Sequence, residues 1–275
     1  MLTEILKAVL LGVVEGITEW LPVSSTGHML LVDELMTLEL SGNFKGMFFV
    51  VIQLGAIMAV VLLFWKKMIP FDFSNGIKLE KQTVSLWLKV ALACVPGAVV
   101  TLLFDDFVDS YLHTPAVIAS ALVFYGVAFI LVESTSGKRR IKTEKAEDIS
   151  YKEALLIGLF QVLSIIPGTS RSGATIIGAL IIGVSRVAAA EFTFFLAVPV
   201  MLGLSFIKLI GFGYDFTATE IAVLSIGSVT AFVVSLAVVK GLMNYVKRKN
   251  FKVFGYYRII LGAVILIYYS VSGSI

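Results

Sequence analysis

The sequence has little charge, one cysteine and two histidines: of its 275 residues only 15% are Asp, Glu, Lys or Arg. A soluble domain averages about 25% charged residues. A chain this poor in charge, 58% hydrophobic and with a mean hydropathy of +0.96, is excluded from the ordinary soluble class. It reads as an integral membrane protein. Cys94 has no second cysteine to close an intramolecular disulfide and no metal-ligand spacing around it, so it reads as packing within an apolar run. The net charge of +3 is small, and Lys and Arg collect between apolar segments, so no nucleic-acid partner is expected. Glu15 and Glu19 interrupt the first apolar stretch and no small-residue cleavage site follows, which argues against a removable signal peptide.

What is present in abundance is apolar sequence of spanning length. A membrane-crossing helix needs about 20 mostly apolar residues, and six segments qualify: 47–65, 84–104, 115–133, 191–208, 220–240 and 254–272. Two further regions, roughly 5–32 and 152–185, are apolar but broken near their middles by Pro, hydroxyl residues and Gly, as a helix-break-helix would be. Basic residues fall in loops 66–83, 134–152 and 241–253. Connection 105–114 carries Asp105, Asp106 and Asp109 without Lys or Arg, and 209–219 also lacks basic residues. The basic loops are therefore expected in the cytoplasm and the other two outside. An odd number of crossings must join Lys152 to Gly211. One clean span lies between them, so the broken region before it should enter and leave on one side.

The breaks are two copies of one sentence. Glu15-Gly-Ile-Thr-Glu19-Trp-Leu-Pro22-Val-Ser24-Ser25-Thr26-Gly27-His28 returns as Gln161-Val-Leu-Ser164-Ile-Ile-Pro167-Gly168-Thr169-Ser170-Arg171-Ser172-Gly173. At an offset of 146 residues Gly12 meets Gly158, Glu15 meets Gln161, Ser24 meets Ser170 and Gly27 meets Gly173, with the prolines one residue out of register. Counting crossings makes the copies inverted in the membrane. The expected architecture is an all-α integral membrane protein: an inverted-topology repeat of about six full transmembrane helices and two re-entrant helix-break-helix hairpins. It forms one membrane domain of repeats 1–136 and 150–275, joined by a basic cytoplasmic loop at 137–149. Broken helices in such repeats place their site near the midplane, where the breaks meet.

The chemistry-bearing residues lie at the breaks. Glu15 and Glu19 are four apart and share a helix face. Surface carboxylates on a short amphipathic helix are the bland alternative, and a proton relay is another. Intramembrane acids are costly enough to suggest function, and this pair suits a divalent cation, Mg2+ or Ca2+, shared with phosphate oxygens. Ser24, Ser25, Thr26 and Gly27 resemble either an ordinary helix cap or an anion-binding turn with free N–H groups. His28 beside them is a candidate nucleophile or general acid/base. Arg171 must be paired or face an aqueous cavity, and its planar fork suits phosphate; pairing with Glu15 or Glu19 is the structural alternative. Gly168, Thr169, Ser170, Ser172 and Gly173 make a second anion-binding turn. Gln53, an amide within a span, lines the site or bridges helices. Arg186 and Glu191 read as mainly structural, a pair between themselves.

These motifs, with Gly183-Val-Ser-Arg186 and Glu191-Phe-Thr-Phe-Phe-Leu-Ala-Val-Pro199, resemble the membrane-embedded undecaprenyl pyrophosphate phosphatases associated with bacitracin resistance, over essentially the whole chain. The resemblance implies a multi-pass enzyme of the bacterial inner membrane, open to the periplasm and divalent-metal dependent. It would remove the terminal phosphate of a C55 polyprenyl pyrophosphate to supply the carrier lipid of cell-wall synthesis. Glu15, Glu19, Ser25, His28 and Arg171 are its expected catalytic set, with His28 acting together with Ser25. Residue order does not assign the nucleophile or the oligomeric state. Architecture alone suits a rival class, a polyprenyl-phosphate flippase or other transporter; the concentration of acids, hydroxyls, His and Arg at one place favours the enzyme.

Overall fold

A computed structural model of the chain describes residues 1–72, 78–136, 140–213 and 215–272. Lys138 and Arg139 of the expected basic linker lie outside them. The described chain is almost entirely helical. Its elements are α1 (Leu2–Thr18), α2 (Ser25–Leu35), α3 (Gly42–Val51), α4 (Gln53–Leu63), the short α5 (Trp65–Met68), α6 (Lys81–Tyr111), α7 (Pro115–Ser136), α8 (Tyr151–Val162), α9 (Arg171–Ile182), α10 (Arg186–Phe212), α11 (Ala218–Val246) and α12 (Lys252–Ser272). Among the described residues six helices are long and apolar enough to cross a membrane: 42–63, 81–104, 115–135, 186–212, 218–246 and 252–272. They coincide with the six expected spans, most of them extended at one or both ends. The largest extension corrects the expected connection at 105–114, where α6 runs on to Tyr111. No Gly or Pro lies between Ala98 and His113 to stop it. Leu102, Phe124, Phe206 and Ile267 are exposed on the outer surface. Such a surface is costly in water and is at home in hydrocarbon, and the protein is a multi-pass membrane protein.

Apart from the short α5, the remaining helices form two folded-back pairs, α1 with α2 and α8 with α9. In the first, Lys7 near the start of α1 donates to the Thr37 carbonyl just past α2 at 2.8 Å, and the Glu39 N–H donates to the Glu4 carboxylate at 2.9 Å. In the second, Lys142 N–H donates to the Gly183 carbonyl and Ser185 N–H to the Thr143 carbonyl, both at 2.8 Å. Each pair therefore ends where it began. At about 1.5 Å rise per residue, the 11 residues of α2 and the 12 each of α8 and α9 fall well short of about 30 Å of hydrocarbon. The α3–α4 rod runs between the two bases. It starts beside Glu39, and Lys67 beyond its far end pairs with Glu191 and approaches Glu147, near the second base. The two hairpins thus point at each other from opposite ends of that rod.

The repeats interlock through their close helix contacts. α1 packs along α11, and α8, which shares its sequence pattern, packs along α6. Glycine permits both approaches. A Cβ on Gly12 would lie 2.5 Å from the Gly227 carbonyl oxygen, and one on Gly158 would run into the backbone of Ala93. The 146-residue periodicity of Gly12 and Gly158 is thus a pair of helix crossings, the small-residue packing that membrane helices rely on. Gly158→Leu should destabilise the protein by about 1–3 kcal/mol through overpacking. The check is the thermal midpoint in detergent, with Gly203→Ala as reference because a Cβ there meets open space; equal midpoints for both variants would refute the packing argument.

Candidate functional site

The two breaks share an unusual backbone. Ser24 and Ser170 are the non-glycine residues with positive φ among the described residues, at 74° and 65°. Each is an N-cap: the Ser24 hydroxyl accepts from Gly27 N–H at 3.4 Å, and that of Ser170 from Gly173 N–H at 3.2 Å. Such conformations cost of order 1–3 kcal/mol each and persist where surrounding structure holds them, commonly at functional sites. The strain turns α2 and α9 sharply after Pro22 and Pro167. It also brings the N-termini of two helices, with their unpaired N–H groups, to the middle of the protein.

Between them lies a charged cluster assembled from both repeats. Arg171, at the first position of α9, donates from Nη2 to Glu19 Oε1 at 2.5 Å across 152 residues of chain. The other oxygen of the same carboxylate accepts from Ser25 Oγ at 3.0 Å. Glu15, one turn earlier on α1, is buried. The ion pair with Glu19, the structural alternative for Arg171, is therefore present, yet it does not exhaust the groups. Seven buried side-chain N or O atoms lack a hydrogen-bond partner among the described residues, and six of them belong to residues of the breaks, their flanking turns or Arg258: Glu15 Oε1, Trp20 Nε1, Gln161 Oε1, Thr169 Oγ1, Arg171 Nη1 and Arg258 Nε. Buried polar groups are ordinarily satisfied. Glu15 Oε1 and Arg171 Nη1 are the unpartnered atoms nearest the Glu19 carboxylate in sequence and contact. Glu15 and Gln161, equivalents in the repeat, are both in this state.

The junction is held by a residue that the sequence analysis passed over. Arg258 of α12 is completely buried. Its Nη2 donates to the Gly168 and Thr169 carbonyls at 2.9 Å each, and its Nη1 to the Pro22 carbonyl at 3.4 Å. One guanidinium thus ties both breaks. The rule that singled out Arg171, a cation deep in an apolar segment, applies equally to Arg258 within span 254–272. Ser172 adds a second clasp, its hydroxyl 3.3 Å from the Glu19 carbonyl oxygen and 3.4 Å from that of Leu21. A Cβ on Gly173 would crowd Arg258 Nη1 at 3.0 Å. Gly168, at φ 90°, would drive a Cβ into the backbone of Ile118.

Other expected residues fall differently. His28 is not bonded to Ser25: its Nδ1 is 2.7 Å from the Ser24 carbonyl oxygen and its Nε2 2.6 Å from the Tyr257 hydroxyl. Gln53 sits half-buried where α3 passes into α4, and no described hydrogen bond ties it to the cluster. Thr26 is exposed at the first turn of α2. Arg186 and Glu191 do not pair with each other. Arg186 forks onto buried Glu133, whose carboxylate also accepts from Phe251 N–H, and Glu191 pairs with Lys67. On a helix five residues apart, Arg186 and Glu191 face different sides, which the linear order hides. Among the described residues no group of three or more His, Cys, Asp or Glu is gathered for a metal ion. Glu15 and Glu19 are the carboxylates at hand, and the unpartnered Glu15 oxygen fits a site completed by ligand oxygens.

Comparison with known proteins places the chain in a family. The model of the bacitracin resistance protein BacA family matches residues 8–264. An undecaprenyl-diphosphatase of Enterococcus faecalis is 64% identical over 266 residues, covering 96% of each chain. Proteins of the same name from Desulfitobacterium hafniense and Lachnoclostridium phytofermentans are 52% and 54% identical. The first alignment covers 98% of this chain and 97% of that protein, the second 97% of each.

Removing Arg258 should release both breaks. Arg258→Met leaves three buried carbonyls unpaired, at about 1–3 kcal/mol each, and should lower the thermal midpoint in detergent far more than Arg248→Met in the loop after α11. Equal midpoints would mean that the breaks hold themselves.

Proposed function

This chain belongs to the bacitracin resistance protein BacA family, and from that premise and the geometry of the breaks we propose that it hydrolyses the terminal phosphate of undecaprenyl pyrophosphate. The observation that carries the reading is the Glu19 carboxylate held between the Ser25 hydroxyl and the Arg171 guanidinium, where two helix N-termini converge. Phosphoryl transfer asks chiefly for charge neutralisation and positioning. Arg171, with Nη1 unpartnered, and the N-terminal turns of α2 and α9 supply cationic and N–H donors for a diphosphate. A hydroxyl already bonded to a carboxylate is an activated nucleophile. This contact favours Ser25 over His28 as the attacking group, since His28 Nε2 is engaged by Tyr257.

In this mechanism Ser25 Oγ bonds to the terminal phosphorus and its proton passes to Glu19. The bond from that phosphorus to the bridging oxygen breaks, and the lipid monophosphate leaves. A water then attacks the phosphoserine and passes a proton to His28; the Ser25–phosphorus bond breaks, releasing phosphate, the Ser25 oxygen takes back the proton held by Glu19, and His28 gives its proton up to solvent. Glu15 and Glu19 would hold a divalent cation, Mg2+ or Ca2+, which when bound withdraws charge from phosphate oxygens. Ser24 and Ser170 keep the two turns in shape, and Thr26, Gly27 and Thr169 line them.

The same reading sets the protein in its membrane. The two folded-back pairs are re-entrant hairpins, supported by their closed bases and short half-helices, and the basic loops face the cytoplasm of a bacterial inner membrane. The diphosphate enters from the periplasmic side, while the polyprenyl tail leaves between helices over apolar faces such as Met58 and Leu62 of α4 and Phe206 of α10.

The decisive test is phosphate release from a polyprenyl pyrophosphate by purified protein in detergent, with and without chelator. Glu19→Gln, Arg171→Ala and Ser25→Ala should each lose on the order of 100-fold or more in kcat, and chelator should abolish release reversibly. A folded protein that releases no phosphate with any divalent cation would sink the phosphatase and leave a lipid transporter as the reading of this architecture.

A further inference from the structure

The mechanism above uses one face of His28 and leaves its contact on α12 without a role. Tyr257 is nearly half exposed, its hydroxyl lies 2.6 Å from His28 Nε2, and its ring lies parallel to the imidazole, 6° apart in plane with centroids at 5.5 Å. On the other side of the ring, Nδ1 is 2.7 Å from the Ser24 carbonyl oxygen. A carbonyl only accepts, so Nδ1 carries the proton and donates it. In the neutral imidazole Nε2 is then the lone-pair nitrogen, and the phenol O–H donates to it. The two contacts hold the ring in one tautomer and one orientation, with the basic nitrogen turned away from the backbone of the first break. The following residue, Arg258, anchors this part of α12 to both breaks, so the phenol is presented from a fixed support.

We propose that Tyr257 is a positioning residue for His28: it keeps Nε2 unprotonated and aimed outward, ready to take the proton of the hydrolytic water. The inference rests on the phosphatase reading for its catalytic meaning, although the contact itself can be tested without it. When the lipid phosphate arrives, the exposed phenol turns its O–H to a phosphate oxygen and Nε2 accepts from water instead. One O–H···N bond breaks and one O–H···O bond forms, and no charge is left unpaired. The first break fixes the opposite nitrogen through a backbone carbonyl, which no side-chain substitution removes. Tyr257 is therefore the adjustable half of the arrangement.

The test combines kinetics with the ring nitrogens themselves. The chain has two histidines, so protein labelled with 15N-histidine yields two imidazole spin systems, and a His113→Gln variant assigns them. Tyr257→Phe keeps the stacked ring and removes the hydroxyl. It should shift the His28 Nε2 resonance toward that of a nitrogen without a donor, leave Nδ1 protonated, and keep the thermal midpoint of the wild type. With a polyprenyl pyrophosphate, kcat should fall by roughly 10-fold or more, as loss of oriented acid–base chemistry does, with KM within two-fold. Tyr256→Phe, on the neighbouring exposed ring, should match the wild type in all three readouts. An unmoved Nε2 resonance in Tyr257→Phe would overturn the contact. A moved resonance with unchanged kcat, or a loss carried by KM, would overturn the positioning role. Absence of phosphate release from the wild type would remove the phosphatase reading, while the resonance would still report on the contact.

Discussion

Every break in a helix inside hydrocarbon frees backbone groups that cannot turn to water, and the whole centre of this protein follows from how that problem is met. Two segments stop being helical ahead of Pro22 and Pro167, α1 at Thr18 and α8 at Val162. Their carbonyls at Pro22, Gly168 and Thr169 converge on one side chain, the buried guanidinium of Arg258. Because one cation serves both breaks, the breaks must meet. Because they meet, the N-termini of α2 and α9 come together as well. A helix terminus offers N–H donors and the positive end of its dipole, so solving the carbonyl problem on one side gathers two such termini on the other.

The repeats contribute unequally to that environment. The caps are equivalent: Ser24 and Ser170 carry the same positive-φ strain and accept from the equivalent glycines. The chemistry has diverged. Glu15 and Glu19 belong to the first copy, whereas the second has Gln161 at the first acidic position and contributes Arg171 in return. A pair of identical halves would place like charges against each other. Here a carboxylate of one copy meets the cation of the other, and the Glu19–Arg171 contact joins the halves at the breaks. Interlocking helices, α1 against α11 and α8 against α6, support this geometry.

Much of this was legible in residue order. Apolar length alone marked the six spans, because hydrocarbon thickness sets a minimum that few loops can mimic. Glu15, Glu19 and Arg171 stood out because charge in such surroundings is costly. The serine caps were recognisable because hydroxyl residues following Pro satisfy free N–H groups. Arg258 obeyed the same rule as Arg171 and was passed over because it lay in an otherwise clean span. Glu133 was likewise hidden at the end of a span, and its fork to Arg186 displaced the expected pairing of Arg186 with Glu191. The extension of α6 through Tyr111 was masked by its acids, which mark a loop in composition but do not break a helix.

What the sequence by itself determined is the set of local necessities: which stretches enter lipid, where they break, and which side chains are too polar to be there without a partner. These follow from solvation and backbone geometry, which act residue by residue. The partners were decided only by the tertiary structure. That Arg171 meets Glu19 across 152 residues, that Arg258 serves two breaks at once, and that His28 rests on Tyr257 rather than Ser25 all depend on how helices remote in sequence are laid side by side. A hydrogen bond needs an acceptor within about 3 Å at the correct angle, and residue order carries no such distance between segments until packing has fixed it.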